Sequence, residues 1–255
     1  MLAIERRSEI LRLLQSNQSV LVSELAKQYG VTEETIRRDL ERLEQEGFAK
    51  KTYGGAVLKD SLNTDIPLRV REKTNIVEKR SIAKLAASII EDGDSIMIDS
   101  SSTSLFIAKE LKSHKKLTVI TNSMEVLIEL SDAKDISVIS TGGTFRQANF
   151  SLVGKNTERM LSEFNVDKTI VSCKSLHIEK AVTESSVAEM EIKKVMLSRA
   201  KKIILAADST KFDSVSFVKL MDLGEIDMLL TDTPPKPEWA STLQKLDVEV
   251  LCSRK

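Results

Sequence analysis

From residue 76 onward the chain alternates short apolar runs with amphipathic stretches, and that alternation admits few folds. The apolar runs lie at 95–98, 118–121, 137–140, 169–173, 203–207, 228–230 and 248–251. Stretches with helical spacing separate most of them, at 77–90, 104–111, 124–130, 185–199 and 238–245. A strand that is apolar along its whole length is buried on both faces. Strands joined through helices run parallel. The expectation for 76–255 is therefore an α/β domain with a mainly parallel sheet covered on both sides.

The first 56 residues follow a different period. Ile10, Leu13 and Leu14 predict a helix over 3–15. Leu25 and Ala26 predict a second over 23–29, with Ser23 at its start, and Ile36, Leu40 and Leu43 a third over 33–45. Gly30 allows the left-handed residue that ends a helix, and Thr32 suits an N-cap. The face of the third helix opposite its apolar stripe carries Thr32, Glu33, Thr35, Arg37, Arg38 and Glu41. A short turn leading into such a helix suits entry into the major groove. There arginine binds guanine bidentately and hydroxyls reach phosphates. EGFAKKTYGG follows and reads as a hairpin, which places Lys50, Lys51 and Tyr53 on a wing against the DNA backbone. The same residues would also serve a small helical dimerisation module with a solvated charged face. Residues 57–75 lack periodicity and contain Pro67, so they are expected to form a linker.

Charge does not choose between these readings. The chain holds 38 basic and 38 acidic residues, and residues 1–60 hold ten of each. Any affinity for DNA must come from the placement of basic groups rather than from bulk charge.

Hydroxyl-rich turns end several of the expected strands, at 99–103, 121–123, 140–144 and 208–211. In a parallel sheet these lie along one edge, beside helix N-termini that favour an anion. Gly142 and Gly143 allow close approach of the backbone, and Lys211 supplies a point charge suited to phosphate. The alternative is that the same residues are ordinary caps and turn formers.

The remaining chemistry is sparse. Two cysteines, Cys173 and Cys252, point to a reducing compartment, and Cys173 reads as a small buried residue. Two histidines and two cysteines, far apart in sequence, make no metal spacing, and no cofactor is expected. No apolar run approaches the roughly 20 residues of a membrane span. MLAIERRSEI lacks the apolar core of a signal peptide. A soluble, cytoplasmic protein without membrane contact is the expectation. His114 is expected to be exposed, His177 to be structural or exposed, and Met190 and Met196 to lie in the core or an interface. The charges of EKAVTESSVAEMEIKKVM are expected on the solvated face of a helix.

Arg6, Ile10, Leu14, Thr32, Thr35, Ile36, Arg37, Arg38, Asp39 and Leu40 resemble the signature of the DeoR family of repressors at its spacing. EQEGFAKKTYGGAV resembles that family's wing. IDSSST, VITNS, ISTGGTFRQ and LAADSTKF resemble segments of its sensor domain, whose fold is similar to ribose-5-phosphate isomerase and whose effectors are sugar phosphates. The resemblance implies a winged helix-turn-helix over 1–56, with the recognition helix at 32–40, and an effector-sensing and oligomerising domain over 76–255. It implies a repressor of a sugar or sugar-derivative catabolic operon, released from double-stranded operator DNA by a phosphorylated sugar. A homo-oligomer, dimer or tetramer, follows as well.

Carried over, the phosphate loop is Ser100, Ser101, Ser102 and Thr103, flanked by Asp99. Thr121, Asn122, Ser123, Gly142, Gly143, Arg146 and Lys211 become effector contacts, and Lys174 and Glu184 contacts at the sugar end. The sequence departs from the pattern twice. Ser101 stands where glycine is usual, and CKSLHIEKAVTES replaces a Gly-Ile-Asp stretch. An isomerase with an accessory domain is the other reading, with Asp99, Asp208 or Glu184 as acid or base. The Gly-Ala-Asp and Lys-Gly-Gly loops such an enzyme would carry are absent, so no catalytic residue is expected.

Overall fold

The computed structural model describes residues 2–58 and 65–253. The chain divides into two compact units, Met1–Thr74 and Asn75–Lys255.

In the first unit α1 (Ala3–Asn17) leads through β1 (Ser19–Leu21) into α2 (Val22–Tyr29) and α3 (Glu33–Gln45). The hairpin of β2 (Ala49–Thr52) and β3 (Gly55–Leu58) follows, then the single turn α4 (Leu68–Arg71). Ile10, Leu14, Ile36 and Leu40 form the centre of its core. Gly30 ends α2 in the left-handed region, at φ +64, and the Thr32 hydroxyl caps α3 by accepting from the Thr35 N–H at 3.3 Å. The strand β1 was not foreseen. It pairs antiparallel with β3, so the wing is a three-stranded sheet in the order β1-β3-β2. Within the expected linker, Val57 and Leu58 belong to β3, and Ile66 and Val70 are buried in this unit's core. Residues 59–64 of that segment lie outside the described residues.

The second unit opens with α5 (Ile76–Ile89), β4 (Ser95–Ile98), α6 (Ser102–Leu111), β5 (Leu117–Thr121), α7 (Met124–Leu130) and β6 (Ile136–Ser140). A hairpin of β7 (Thr144–Arg146) and β8 (Ser151–Val153) leads to α8 (Lys155–Ser162) and β9 (Val166–Val171). Then come β10 (Ser175–His177), β11 (Ala181–Glu184), α9 (Val187–Ser198) and β12 (Ala200–Ala206). The unit ends with β13 (Val218–Met221), β14 (Met228–Thr231), α10 (Pro237–Lys245) and β15 (Glu249–Cys252).

Seven strands form one sheet in the order β15-β14-β12-β9-β4-β5-β6, and every pairing in it is parallel. Both faces are covered, as the unbroken apolar runs require. Ile96 and Ile98 face Ile82, Ile107 and Leu111, whereas Met97 faces the side that holds Ile192, Met196 and Trp239. Beyond the expected runs, β9 and β12 extend backward through Asp167, Lys168, Lys201 and Lys202. Lys168 pairs with Asp94 at 2.6 Å and Lys201 with Asp167 at 2.8 Å, so a polar rim continues the strands. A small antiparallel sheet, β10-β11-β13, lies outside the main one. From β4 the chain winds outward through β5 to β6, then returns to the other side of β4 as β9. The strand order therefore reverses between β4 and β9, and a crevice opens there at the strands' carboxyl ends.

One contact in the wing sheet leaves no room for a side chain. A Cβ added at Gly55 would lie 2.1 Å from the Val20 carbonyl oxygen. Gly55→Ala is expected to force β1 and β3 apart and to cost about 1–3 kcal/mol, the usual range for overpacking. Hydrogen exchange on the full chain is expected to show the loss of protection at 19–21 and 55–58, with the seven-stranded sheet unchanged.

Candidate functional site

Two groups of residues stand out, one in each unit. In the first, α3 is fixed from beneath. The Asp39 carboxylate is buried and accepts from Arg6 Nε at 2.5 Å, with Arg7 at 3.7 Å. That ion pair ties α3 to α1 and leaves the polar face of α3 at the surface. Thr32, Glu33, Arg37 and Arg38 are exposed there and Thr35 is half-buried. The hydroxyls of Thr32 and Thr35 meet at 2.9 Å. Arg37 pairs with Glu33 at 2.5 Å and Arg38 with Glu34 at 3.4 Å, each one turn apart. On β2, Lys50 and Lys51 are exposed, and Tyr53 at the turn is fully so. The wing is braced against α3: the Lys51 N–H donates to Glu44 at 2.8 Å, and its ammonium lies 3.9 Å from Glu41. Ser23 is exposed in the first turn of α2.

The second group fills the crevice between β4 and β9. Asp99, directly after β4, is almost wholly buried. One of its oxygens accepts from the Ser101 N–H at 3.0 Å and the Ser104 hydroxyl at 2.5 Å. The other accepts from the Ser172 N–H at 2.9 Å and lies 3.1 Å from Lys193 Nζ. The Lys193 ammonium also donates to the Ser172 carbonyl at 2.7 Å and to Glu184 at the end of β11. On the same face of α9, Glu189 accepts from Ser100 at 3.0 Å, Asn149 at 3.0 Å and Ser151 at 2.6 Å, with Arg146 at 3.5 Å. Lys211 donates to the Ser172 hydroxyl at 2.7 Å and lies 3.8 Å from Asp208.

Burial opposes the charge on Asp99, but Lys193 outweighs it, and hydrogen bonds from Ser104, Ser172 and Ser101 add to this. The carboxyl is held below its ordinary value. Burial also opposes the charge on Lys193; Glu184 and Asp99 reverse this and hold its ammonium well above the usual lysine range. Asp208 follows the same logic, with Lys211 and Thr210 overcoming burial to lower it. At Cys173 burial outweighs the nearby Lys211 and Lys193 and pushes the thiol up to about 12, so it stays protonated and unreactive near neutrality.

The structure thus joins Asp99, Ser100, Ser101, Arg146, Glu184 and Lys211 through Ser172, Lys193 and Glu189. Thr121, Asn122 and Ser123 lie at the end of the neighbouring strand. Thr121 donates to the Ile98 carbonyl at 2.7 Å, Asn122 to that of Leu152 at 3.0 Å, and Ser123 caps α7. Ser102 and Thr103 open α6. Lys174 is half-buried, and its backbone N–H pairs with Thr183 at 3.1 Å. Three buried polar atoms at this edge of the sheet, Thr103 Oγ1 in the first turn of α6, Asn122 Oδ1 and Thr231 Oγ1, have no hydrogen-bond partner among the described residues.

Two expectations change, those for the charges of α9 and for His114. Glu189 and Lys193 are buried, not solvated. They share a stripe with Ile192 and Met196 at helical spacing, a pattern already present in the sequence. Ser101, where glycine is usual, caps α6, its hydroxyl accepting from the Ser104 N–H at 3.0 Å. Gly143 also meets a packing demand: at φ +120 a Cβ would lie 2.0 Å from Thr157 Oγ1. His114 is half-buried, with Nε2 3.1 Å from both the Ala87 and Ile90 carbonyls at the end of α5.

Comparison with known proteins agrees with this division. Residues 6–62 match the DeoR-like helix-turn-helix domain and residues 74–233 the DeoR C terminal sensor domain. The uncharacterized HTH-type transcriptional regulator YulB of Bacillus subtilis (strain 168) is 40% identical over 98% of this chain and 96% of its own length. The HTH-type transcriptional regulator GolR of Listeria innocua is 37% identical over 91% of each chain. A putative aga operon transcriptional repressor of Escherichia coli O157:H7 is 33% identical over 97% of this chain and 93% of its own. Among solved structures, ribose 5-phosphate isomerase A of Methanocaldococcus jannaschii is similar at TM-score 0.39 and 16% identity, over 52% of this chain and 53% of that one. No helix among the described residues is long and apolar enough to cross a membrane.

The buried ion pairs fix a pH dependence. The folded value of Asp99 lies below the ordinary 3.8, so its contribution is complete above that value and is lost as pH falls through the depressed one. Asp99→Asn is expected to cost roughly 3–5 kcal/mol near neutral pH, the range for breaking a buried pair, and progressively less in acid. Urea denaturation across the acid range checks this. A penalty that does not shrink with falling pH would show that the charge of Asp99 is not what stabilises the crevice.

Proposed function

Because the chain belongs to the DeoR family of transcriptional regulators, we propose that it represses an operon of carbohydrate catabolism and leaves its operator when a phosphorylated sugar binds the second unit. The observation that carries this reading is the crevice between β4 and β9. There the N-terminus of α6, whose first N–H groups have no intrahelical acceptor, meets hydroxyls and a lysine. The partnerless Thr103 hydroxyl in the first turn of α6 is the donor most in need of a ligand. A phosphate seated there takes hydrogen bonds from Ser100, Ser102 and Thr103, with Lys211 as counter-charge. Asn122, Arg146, Lys174 and Glu184 then bound the sugar.

Turnover has no evident base at this edge. A general base needs a lone pair directed at the substrate proton. Asp99 and Glu184 both lie against Lys193, and Asp208 is held by Lys211 and Thr210. Such locked carboxylates shape a pocket without acting on its contents, in keeping with the names of the relatives as regulators.

On DNA, α3 enters the major groove with Thr32, Thr35, Arg37 and Arg38 leading, and Lys50, Lys51 and Tyr53 of the wing lie on the backbone. A homo-oligomer, dimer or tetramer, pairs such heads on half-sites about one helical turn apart or a multiple of it. Arg37→Ala is expected to cost about 1–3 kcal/mol on the operator and much less on random DNA. Equal losses on both would remove its base-reading role.

Effector binding is tested by thermal shift of the full chain against ribose 5-phosphate, fructose 6-phosphate, glucosamine 6-phosphate, tagatose 6-phosphate and glyceraldehyde 3-phosphate, with inorganic phosphate as the charge control. A compound that raises the melting temperature is expected to weaken operator binding about 5–150-fold. If none binds, or if binding leaves operator affinity unchanged, the effector reading is wrong.

A further inference from the structure

Asn75 is the first residue of the second unit and lies directly before α5. Its backbone is left-handed, at φ +51 and ψ +46, a region in which asparagine is the most favoured residue after glycine. Asparagine is also among the best helix N-caps. Yet the Asn75 side chain makes no capping hydrogen bond to α5. Its amide donates instead to Thr210 Oγ1 at 3.0 Å and to Asp208 Oδ1 at 3.4 Å. The left-handed backbone turns the side chain away from the capping position, and its amide is spent on the 208–211 turn.

That loop reaches the crevice from its other end. Lys211, one residue after Thr210, donates to the Ser172 hydroxyl at 2.7 Å. Ser172 in turn donates through its N–H to Asp99 and accepts at its carbonyl from Lys193. Hydrogen bonds therefore run from Lys193 and Asp99 through Ser172 to Lys211, whose ammonium lies 3.8 Å from Asp208 and whose backbone continues the turn at 208–211 that holds the Asn75 amide. The torsions of residue 75 set the direction in which the backbone enters the second unit, and terminal residues of this kind are the usual seat of hinges.

We propose that Asn75 is the positioning residue that carries the state of the β4–β9 crevice to the junction between the two units, with the 208–211 turn as its link. An anion that draws Lys211 away from Ser172 moves the turn, and the Asn75 amide loses its two acceptors. The junction then leaves its left-handed setting. The last step rests on the effector reading above; the wiring from Ser172 to Asn75 does not.

Two measurements on the full chain separate these. The first needs no ligand. Hydrogen exchange is followed in a peptide covering 75–83, which includes the Lys79 N–H that donates to the Asn75 carbonyl at 3.1 Å. Ser172→Ala, or Lys211→Met should the first variant unfold, is expected to speed exchange there about threefold or more, as local opening becomes easier. Unchanged exchange at 75–83, with altered exchange at 209–211, overturns the wiring.

The second measurement uses Asn75→Gly, which keeps the left-handed backbone accessible and deletes only the amide, with Thr210→Val as an independent cut. Both are tested with the sugar phosphates of the thermal-shift panel. Binding of an active compound is expected to stay within about twofold of wild type, while its effect on operator affinity falls to about twofold or less, from the usual allosteric range. Retention of the full effect in both variants refutes the role of Asn75. If no compound binds the wild-type chain, the effector reading falls and the exchange result alone decides the wiring.

Discussion

A single buried ammonium organises the second unit. Lys193 is taken out of water on α9, and a cation so placed is tolerable only where carboxylates and carbonyls surround it. It finds Asp99 after β4, the Ser172 carbonyl after β9 and Glu184 at the end of β11. Those three groups come from different turns of the chain. Satisfying one lysine therefore fixes the positions of the switch-point strands and of the small antiparallel sheet. Glu189, one turn earlier on the same helix, does the same for Ser100 and the β7–β8 hairpin. Truncating any member leaves a buried charge uncompensated, so the crevice has one well-defined arrangement rather than a range.

The sequence revealed the parts of this structure that follow from local periodicity. All seven strands of the parallel sheet were visible as apolar runs, because burial on both faces leaves a signal that needs no partner to read. The helices of the first unit were visible for the same reason, and Thr32 and Gly30 marked the α2–α3 turn by their chemistry. The small sheets were not. Strands such as β10 and β7 span three residues, too few for a period, and each folds back on the next strand in a short hairpin that carries no apolar run. Gly55 was read as part of a wing, yet its real constraint is the Val20 carbonyl, a contact no local pattern reports.

The candidate site shows the same limit from the other side. The hydroxyl turns at 99–103 and 208–211 were legible, since caps and strand ends are local features. The groups that bind them together, Lys193 and Glu189, were mistaken for a solvated face because charge usually means solvent. Their spacing with Ile192 and Met196 contradicted that reading. A charged residue in register with an apolar stripe is either an error of folding or one half of a buried pair, and here the other halves lie at Asp99 and Ser100. In the first unit the rule held in reverse. Asp39 sits on the buried stripe of α3 with Ile36 and Leu40, and its partner is Arg6.

This placement of charge bears on how the two units divide their work. Residues 1–60 carry as many acidic as basic groups, so the grip of the first unit on DNA depends on the pose of a few groups rather than on bulk charge. The second unit is held by buried ion pairs, and these set its crevice in one arrangement. A small anion near Lys211 competes with Ser172 and Asp208 for the same ammonium. It need not supply much energy to matter, because the protein already balances that lysine between partners. Under the function proposed above, a reading head that depends on pose would answer to the occupancy of one crevice without bulk electrostatics.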